Sequence, residues 1–240
     1  MNRRAFICGG MAAILASRRA PAFCVAMRNG MTRPSAPPTP PLPYDYAVEY
    51  IETDGVASYI DTGIAPIYES SSISLSFKYA SWNDVYSGVG LNTACGASPD
   101  NAVTRRVFSI GTHVTGNTFA TTRPTIETGS RPPLDKLIHD ITMDSSGCLW
   151  DGVLFPSSAS LTFTPSYFCL GTRGPVYVAL SWFGNVRFYS CKIYTNNVLM
   201  FDGIPVVTNG VAGMYDSISG TVKTNAAATG TITAGPRRAQ

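Results

Sequence analysis

One stretch, residues 184–222, constrains the fold of this chain more than any other: GNVRFYSCKIYTNNVLMFDGIPVVTNGVAGMYDSISGTV. Tyr189, Cys191 and Ile193 would share one face of an extended strand, Ser190 and Lys192 would take the other, and Tyr194 sits at the turn. Asn196-Asn197 follows between two apolar runs, and Asn tolerates the positive φ that primed hairpin turns require. A return strand and a short Gly-rich closing segment complete the stretch. The alternation fails further back, where Val186 and Phe188 are apolar and Arg187 is not. Burying an unpaired Arg is costly, so the phase change predicts a β-bulge between Arg187 and Tyr189.

The same period of two recurs along the chain. Residues 72–79 place Ile73, Leu75 and Phe77 on one face and Ser72, Ser74, Ser76 and Lys78 on the other. Residues 47–51 and 58–61 read as short strands around the turn pair Asp54-Gly55. Strand-like runs also cover 84–91, 105–112, 118–122, 166–171 and 176–182, with 92–103 expected to be irregular and Gly116-Asn117 a turn. Residues 137–144 put Leu137, His139, Ile141 and Met143 on one face. Turns at 145–147 and at Asp151-Gly152 then make a meander with 148–150 and 153–155. No sustained helical periodicity appears after the first residues. Many short strands separated by turns predict an all-β, two-sheet antiparallel sandwich.

Charge narrows the function. Six of the eighteen basic residues, Arg3, Arg4, Arg18, Arg19, Arg28 and Arg33, lie in the first 33 positions, where no acidic residue occurs. The remainder carries twelve basic against fifteen acidic residues. Such a body lacks the basic surface that nucleic acid requires. Cys95, Cys148, Cys169 and Cys191 lie in the body without CxxC or Cys/His spacing, so no zinc site is expected. Cys148, Cys169 and Cys191 have strand-like surroundings and read as free, buried, small apolar side chains.

The first residues read as an address. Arg3-Arg4 precedes the apolar run 5–16, about a dozen residues, which is too short to span a bilayer and suits a signal-peptide core. Asn2-Arg-Arg-Ala-Phe-Ile7 resembles a twin-arginine export signal, with Asn2 and Cys8 departing from the usual residues. Ala20-Pro21-Ala22 resembles a small-residue cleavage site. The expected organisation is a signal peptide over 1–22, a Pro-rich linker over 23–45 and one domain over 46–236. Pro34, Pro37, Pro38, Pro40, Pro41 and Pro43 make the linker an extended spacer. The mature chain would be exported to the periplasm, the cell surface or the medium, with no transmembrane anchor.

Two blocks resemble a known family. Residues 48–63, VEYIETDGVASYIDTG, look like the entry strands of the concanavalin A-like, laminin-G-like jelly rolls of bacterial surface and phage tail proteins. Residues 184–230 resemble that family's closing block, and 137–152 its hairpin ending in an Asp-Gly turn. The resemblance spans about 46–236 and implies a jelly roll of two curved antiparallel sheets. Lectins, glucanases, adhesion modules and spacers share that fold, so no single function follows from it.

Glycosidases on this fold need two carboxylates about 5–10 Å apart. The pattern Glu-x-Asp-x-x-Glu is absent, and Glu49 and Glu52 would point to opposite faces of a continuous strand. Asp140 and Asp144 share a parity, but Asp144 abuts a turn. No catalytic residue is expected. Calcium is the one cofactor that Asp61, Asp144, Asp151, Asp202 and Asp216 would suit, yet four of these adjoin turns, where Asp is common for local reasons. They are therefore read as turn residues, with no metal site assigned. His113 is isolated, and His139 reads as a hydrogen-bonded core residue. Sugars stack on aromatic faces, so Trp82 with Asn83, Asp84 and Tyr86 forms the leading ligand-binding set, followed by Trp182 and Trp150. The reading is an exported, non-catalytic module that binds glycan or another surface component. The alternatives are a structural or assembly module and a divergent glycoside hydrolase.

Overall fold

Alternating apolar residues can be buried only if strands pair into sheets and the sheets then cover one another. The computed structural model describes residues 41–81, 93–97, 108–112, 118–121, 135–156, 165–172, 174 and 183–239. Among them the strands are β1 (Tyr46–Ala47), β2 (Ile51–Thr53), β3 (Ile60–Asp61), β4 (Ser71–Ser81), β5 (Thr93–Gly96), β6 (Ser109–Thr112), β7 (Thr118–Thr121) and β8 (His139–Asp144). They continue with β9 (Gly147–Trp150), β10 (Val153–Pro156), β11 (Cys169–Leu170), β12 (Asn185–Thr195), β13 (Val198–Thr208), β14 (Val211–Asp216), β15 (Thr221–Lys223) and β16 (Ile232–Ala234). No described residue is helical.

An eleven-stranded sheet runs β10-β9-β8-β4-β12-β13-β14-β15, with β1 on β13, and β2 between β12 and β16. A five-stranded sheet runs β3-β11-β5-β6-β7. All pairings are antiparallel. One core joins the sheets: Ile73, Leu75, Phe77, Phe188, Cys191 and Ile193 from the large sheet pack with Cys95, Phe108, Ile110 and Leu170 from the small one. Gly184, just before β12, lies close against β5, since a Cβ there would fall 2.5 Å from the Thr93 carbonyl oxygen. The expected two-sheet antiparallel sandwich is therefore present.

The strongest local signals hold. β4 buries Ile73, Leu75 and Phe77 and turns Ser72, Ser74, Ser76 and Lys78 outward. Asn196 and Asn197 take φ of 51° and 61° in the β12–β13 hairpin, as a primed turn requires. Asp151-Gly152 closes β9–β10 in the same way, at 48° and 84°. The four body cysteines are buried and unbridged.

Other expectations are corrected. Residues 93–96 lie inside the stretch expected to be irregular, yet they form β5, paired with β11 on one side and β6 on the other. Small residues flanked by Gly, Asn and Pro hide that strand, and it is stabilised by partners distant in sequence. Leu137 does not join the core face. β8 begins at His139, and Leu137 is 66 % exposed in the preceding segment. The run 47–51 is broken at Glu49-Tyr50, between β1 and β2. The expected strands 84–91 and 176–182 and the Gly116-Asn117 turn lie outside the described residues.

The bulge is present, with one change of side chain. On the β4 ladder Phe188 pairs with Phe77 and Ser190 with Ser76, leaving Tyr189 unpaired between them. Val186, Phe188, Cys191 and Ile193 are buried while Arg187 and Lys192 face outward. Tyr189 was expected beside Cys191 and Ile193. As the extra residue of the bulge it turns outward instead, next to Ser190.

Candidate functional site

The outward Tyr189 has company. Arg187 stands at the centre of a cross-strand row, with Lys78 of β4 on one side and Glu52 of β2 on the other. Arg187 Nε donates to Glu52 Oε2 at 2.6 Å. That hydrogen bond, aided by the carboxylate charge, pushes the guanidinium pKa up, against the opposing effect of burial. The guanidinium carbon also lies 4.6 Å from the centroid of the Tyr50 ring, in cation–π range. Tyr50 and Tyr189 pack at 5.5 Å between centroids with their planes 58° apart. Burial pushes the Tyr189 phenol up, while Arg187 works in the opposite direction.

Local sequence builds this patch. The bulge brings Tyr189 to the face that already carries Arg187, and without it one of Arg187 and Phe188 would be on the wrong side of the sheet. Tyr50 sits at the break between β1 and β2. Gly235 holds it there: its amide donates to the Tyr50 carbonyl at 2.8 Å, and a Cβ on it would come within 2.7 Å of the ring. Any larger residue at 235 would displace the ring. Glu49 lies in the break and Glu52 in β2, so the two do not share a continuous strand, and both carboxylates push the Tyr189 phenol up. The result is a half-buried surface of two phenols, one positioned guanidinium and flanking hydroxyls of Ser76 and Ser190. It can offer ring faces and hydrogen-bond donors to a polar ligand.

A second cluster surrounds His139, which is 3 % exposed. Its Nδ1 lies 2.7 Å from Asp151 Oδ2 and its Nε2 2.8 Å from Asp135 Oδ1. The Trp150 indole nitrogen is 3.1 Å from the same Nδ1. Nδ1 cannot donate to the carboxylate and accept from the indole together, and the carboxylate contact is the shorter. The His139 ring also packs 4.8 Å from Trp150 and 6.0 Å from Phe77. Both nitrogens are occupied, so neither is open to a substrate. His139 is the hydrogen-bonded core residue that its parity suggests, and Trp150 is 2 % exposed beside it.

Three of the five acidic candidates, Asp61, Asp144 and Asp216, serve their own turns, while Asp151 holds His139 and Asp202 lies within β13. Asp61 accepts from Gly63 N, Asp144 from Ser146 N, and Asp216 from Asp202, Ile218 and Ser219 amides. Asp202 pairs with Lys192 at 3.0 Å. Among the described residues no group of three or more His, Cys, Asp or Glu is placed to hold a metal ion. Trp82, Asn83, Asp84, Tyr86, His113 and Trp182 lie outside the described residues. Sequence reasoning missed Tyr50, Glu52, Arg187 and Tyr189 as a group. The available signal was the bulge itself, because bulges often re-aim side chains at functional positions. Comparison with family models, curated proteins and solved structures finds no match to this chain.

Proposed function

We propose that this chain is an exported, non-catalytic carbohydrate-binding or adhesion module on a jelly-roll sandwich. The observation that carries the reading is the bulge at Tyr189. It sets a second phenol beside Tyr50 and beside an Arg already locked by Glu52. A pyranose can lay its C–H face on such a ring while its hydroxyls meet Arg187, Ser76 and Ser190. Export rests on the basic-then-apolar leader and the twin-arginine pattern around Arg3-Arg4. The four buried thiols suit a body that folds in a reducing compartment before transport.

A glycan array probed with the full chain, with calcium and with chelator, tests this directly. Binding to a defined glycan subset is expected, with Tyr189→Ala abolishing it while leaving the melting temperature within a few degrees. An array without signal under either condition overturns the reading. A second reading, a structural or assembly module, draws on β10. Val153 and Leu154 are more than half exposed there, and no described strand pairs with its outer edge. Concentration-dependent self-association that Leu154→Lys abolishes, together with a silent array, would favour it.

A further inference from the structure

The cross-strand row Lys78–Arg187–Glu52 holds an imbalance. Lys78 and Arg187 are direct register partners on β4 and β12, and both face outward. Like charges directly opposite one another in a sheet repel. Glu52 meets Arg187 through Nε on the far flank. Among the described residues Lys78 has no ion-pair partner, and no acceptor meets either Nη group of Arg187. The other outward groups near Lys78 on these strands are the Ser76 and Ser190 hydroxyls, themselves register partners. Asp140 of β8, which is exposed, faces Ser76 one position back from Lys78. Lys192, the remaining cation of β12's outer face, is neutralised by Asp202 at 3.0 Å. Glu52 in the same way balances Arg187, so the row keeps one excess positive charge, that of Lys78, with Tyr189 and the Glu49 carboxylate on its far flank.

The geometry points to a carboxylate clamp for an acidic sugar, a deepening that rests on the glycan-binding reading above. Arg187 is pre-positioned by Glu52 and by the Tyr50 ring, so its free Nη edge can present two parallel N–H donors to a planar carboxylate. Lys78 supplies a third charge-assisted donor from the adjacent strand. With the carboxylate of a hexuronate seated between them, its pyranose ring lies toward Tyr189. The Ser76 and Ser190 hydroxyls are placed for the sugar hydroxyls. Binding then relieves the Lys78–Arg187 repulsion, so charge complementarity selects an anion over a neutral sugar.

The test titrates the full chain with three oligosaccharides of equal length: a hexuronate, its neutral methyl ester and a sulfated neutral sugar. The hexuronate should bind best, and its affinity should fall with added salt. Lys78→Gln should weaken hexuronate binding about tenfold, as expected for loss of one charge-assisted contact, with no loss of melting temperature. Lys192→Gln, which removes an equal charge outside the clamp, should leave affinity unchanged. Equal weakening by both variants, or tighter binding of the sulfated sugar, overturns the clamp. Methyl-ester binding equal to that of the hexuronate, lost in Tyr189→Ala but untouched by Lys78→Gln, overturns the clamp while keeping the glycan reading. Absence of binding to all three, with a silent glycan array, overturns both.

Discussion

The two halves of β12 differ although they belong to one strand. The C-terminal half, from Cys191 to Thr195, keeps an unbroken ladder with β4, and its inward residues Cys191 and Ile193 alternate with outward Lys192 and Tyr194, the one register shift there falling on the β13 side at Met200. The N-terminal half, from Asn185 to Ser190, pairs with β4 on one side and the three-residue β2 on the other, and it is interrupted by the bulge at Tyr189. The regular half supplies core and a hairpin. The irregular half supplies a surface on which aromatic, cationic and hydroxyl groups meet. One inward face serves both halves, so the departure from regularity changes only what points to solvent.

The largest effect should come from that shared inward face. Phe77, the register partner of Phe188, is fully buried. Phe77→Ala should cost about 3–5 kcal/mol in chemical denaturation. Ser76→Ala, opposite Ser190 on the outer face, should stay within about 0.5 kcal/mol. Equal losses for the two would show that the faces are misassigned and would remove the basis of the comparison.

A smaller effect should appear where the irregular half leans on β2. Just after β2, Asp54 Oδ1 accepts from the amides of Val56, Ala57 and Ser58, and Oδ2 accepts from Thr231 N at 2.7 Å. Burial works to raise the Asp54 pKa, but these amide bonds outweigh it and hold it well below the ordinary 3.8. A depressed carboxylate contributes stability that is present above its unfolded value and lost as pH falls through the folded one. Stability should therefore decline from about pH 4 downward. Asp54→Asn should cost about 2 kcal/mol at pH 7 and flatten the acid limb. In wild type, amides of Arg187 and Phe188 should exchange faster on acidification than those of Cys191 and Ile193. An acid limb of unchanged slope in Asp54→Asn would assign the pH dependence to other carboxylates.

A smaller effect than that of Asp54→Asn should come from deleting Tyr189. Phe188 and Ser190 would then pair consecutively with Phe77 and Ser76, giving an unbroken alternation with Arg187 still outward. The expected loss is about 1 kcal/mol, with a cooperative transition retained and glycan binding gone. A variant that fails to fold would show that the bulge is structural, and the two halves would then differ in packing rather than in role.

The difference between the halves also explains what could be read in advance. Regular alternation in β4, β8 and the end of β12 is a local signal, as are Asn196-Asn197 and Asp151-Gly152, because side-chain period and turn chemistry are written in neighbouring residues. The bulge was legible only as a contradiction between Arg187 and its apolar neighbours, and contradiction gave its place but not the direction of Tyr189. That direction depends on Tyr50, more than 130 positions away, and on Gly235 behind it. β5 was illegible for the same reason: Thr93, Ala94 and Cys95 are a strand because β11 and β6 flank them. The Arg187–Glu52 pair joins strands far apart in sequence, and no spacing rule anticipates it. Asn209-Gly210 closes β13–β14 with φ of 49° and 76°, a turn pair of the same local kind.

The segment that follows β1 meets the segment that follows β16. Val48 bridges Arg237, Glu49 N donates to the Pro236 carbonyl and Arg238 N to the Ala47 carbonyl. Residues 47–49 and 236–238 therefore lie within one strand spacing of each other. A fold with adjacent ends can be carried as an insert in a loop of a host protein without prising the host apart. It can also be rewired, with residues 47 and 238 joined by a short linker and the chain reopened at the Asn209-Gly210 turn. The same sheets would then be traced in a different order, and the surface around Arg187 would be delivered from a new point of attachment.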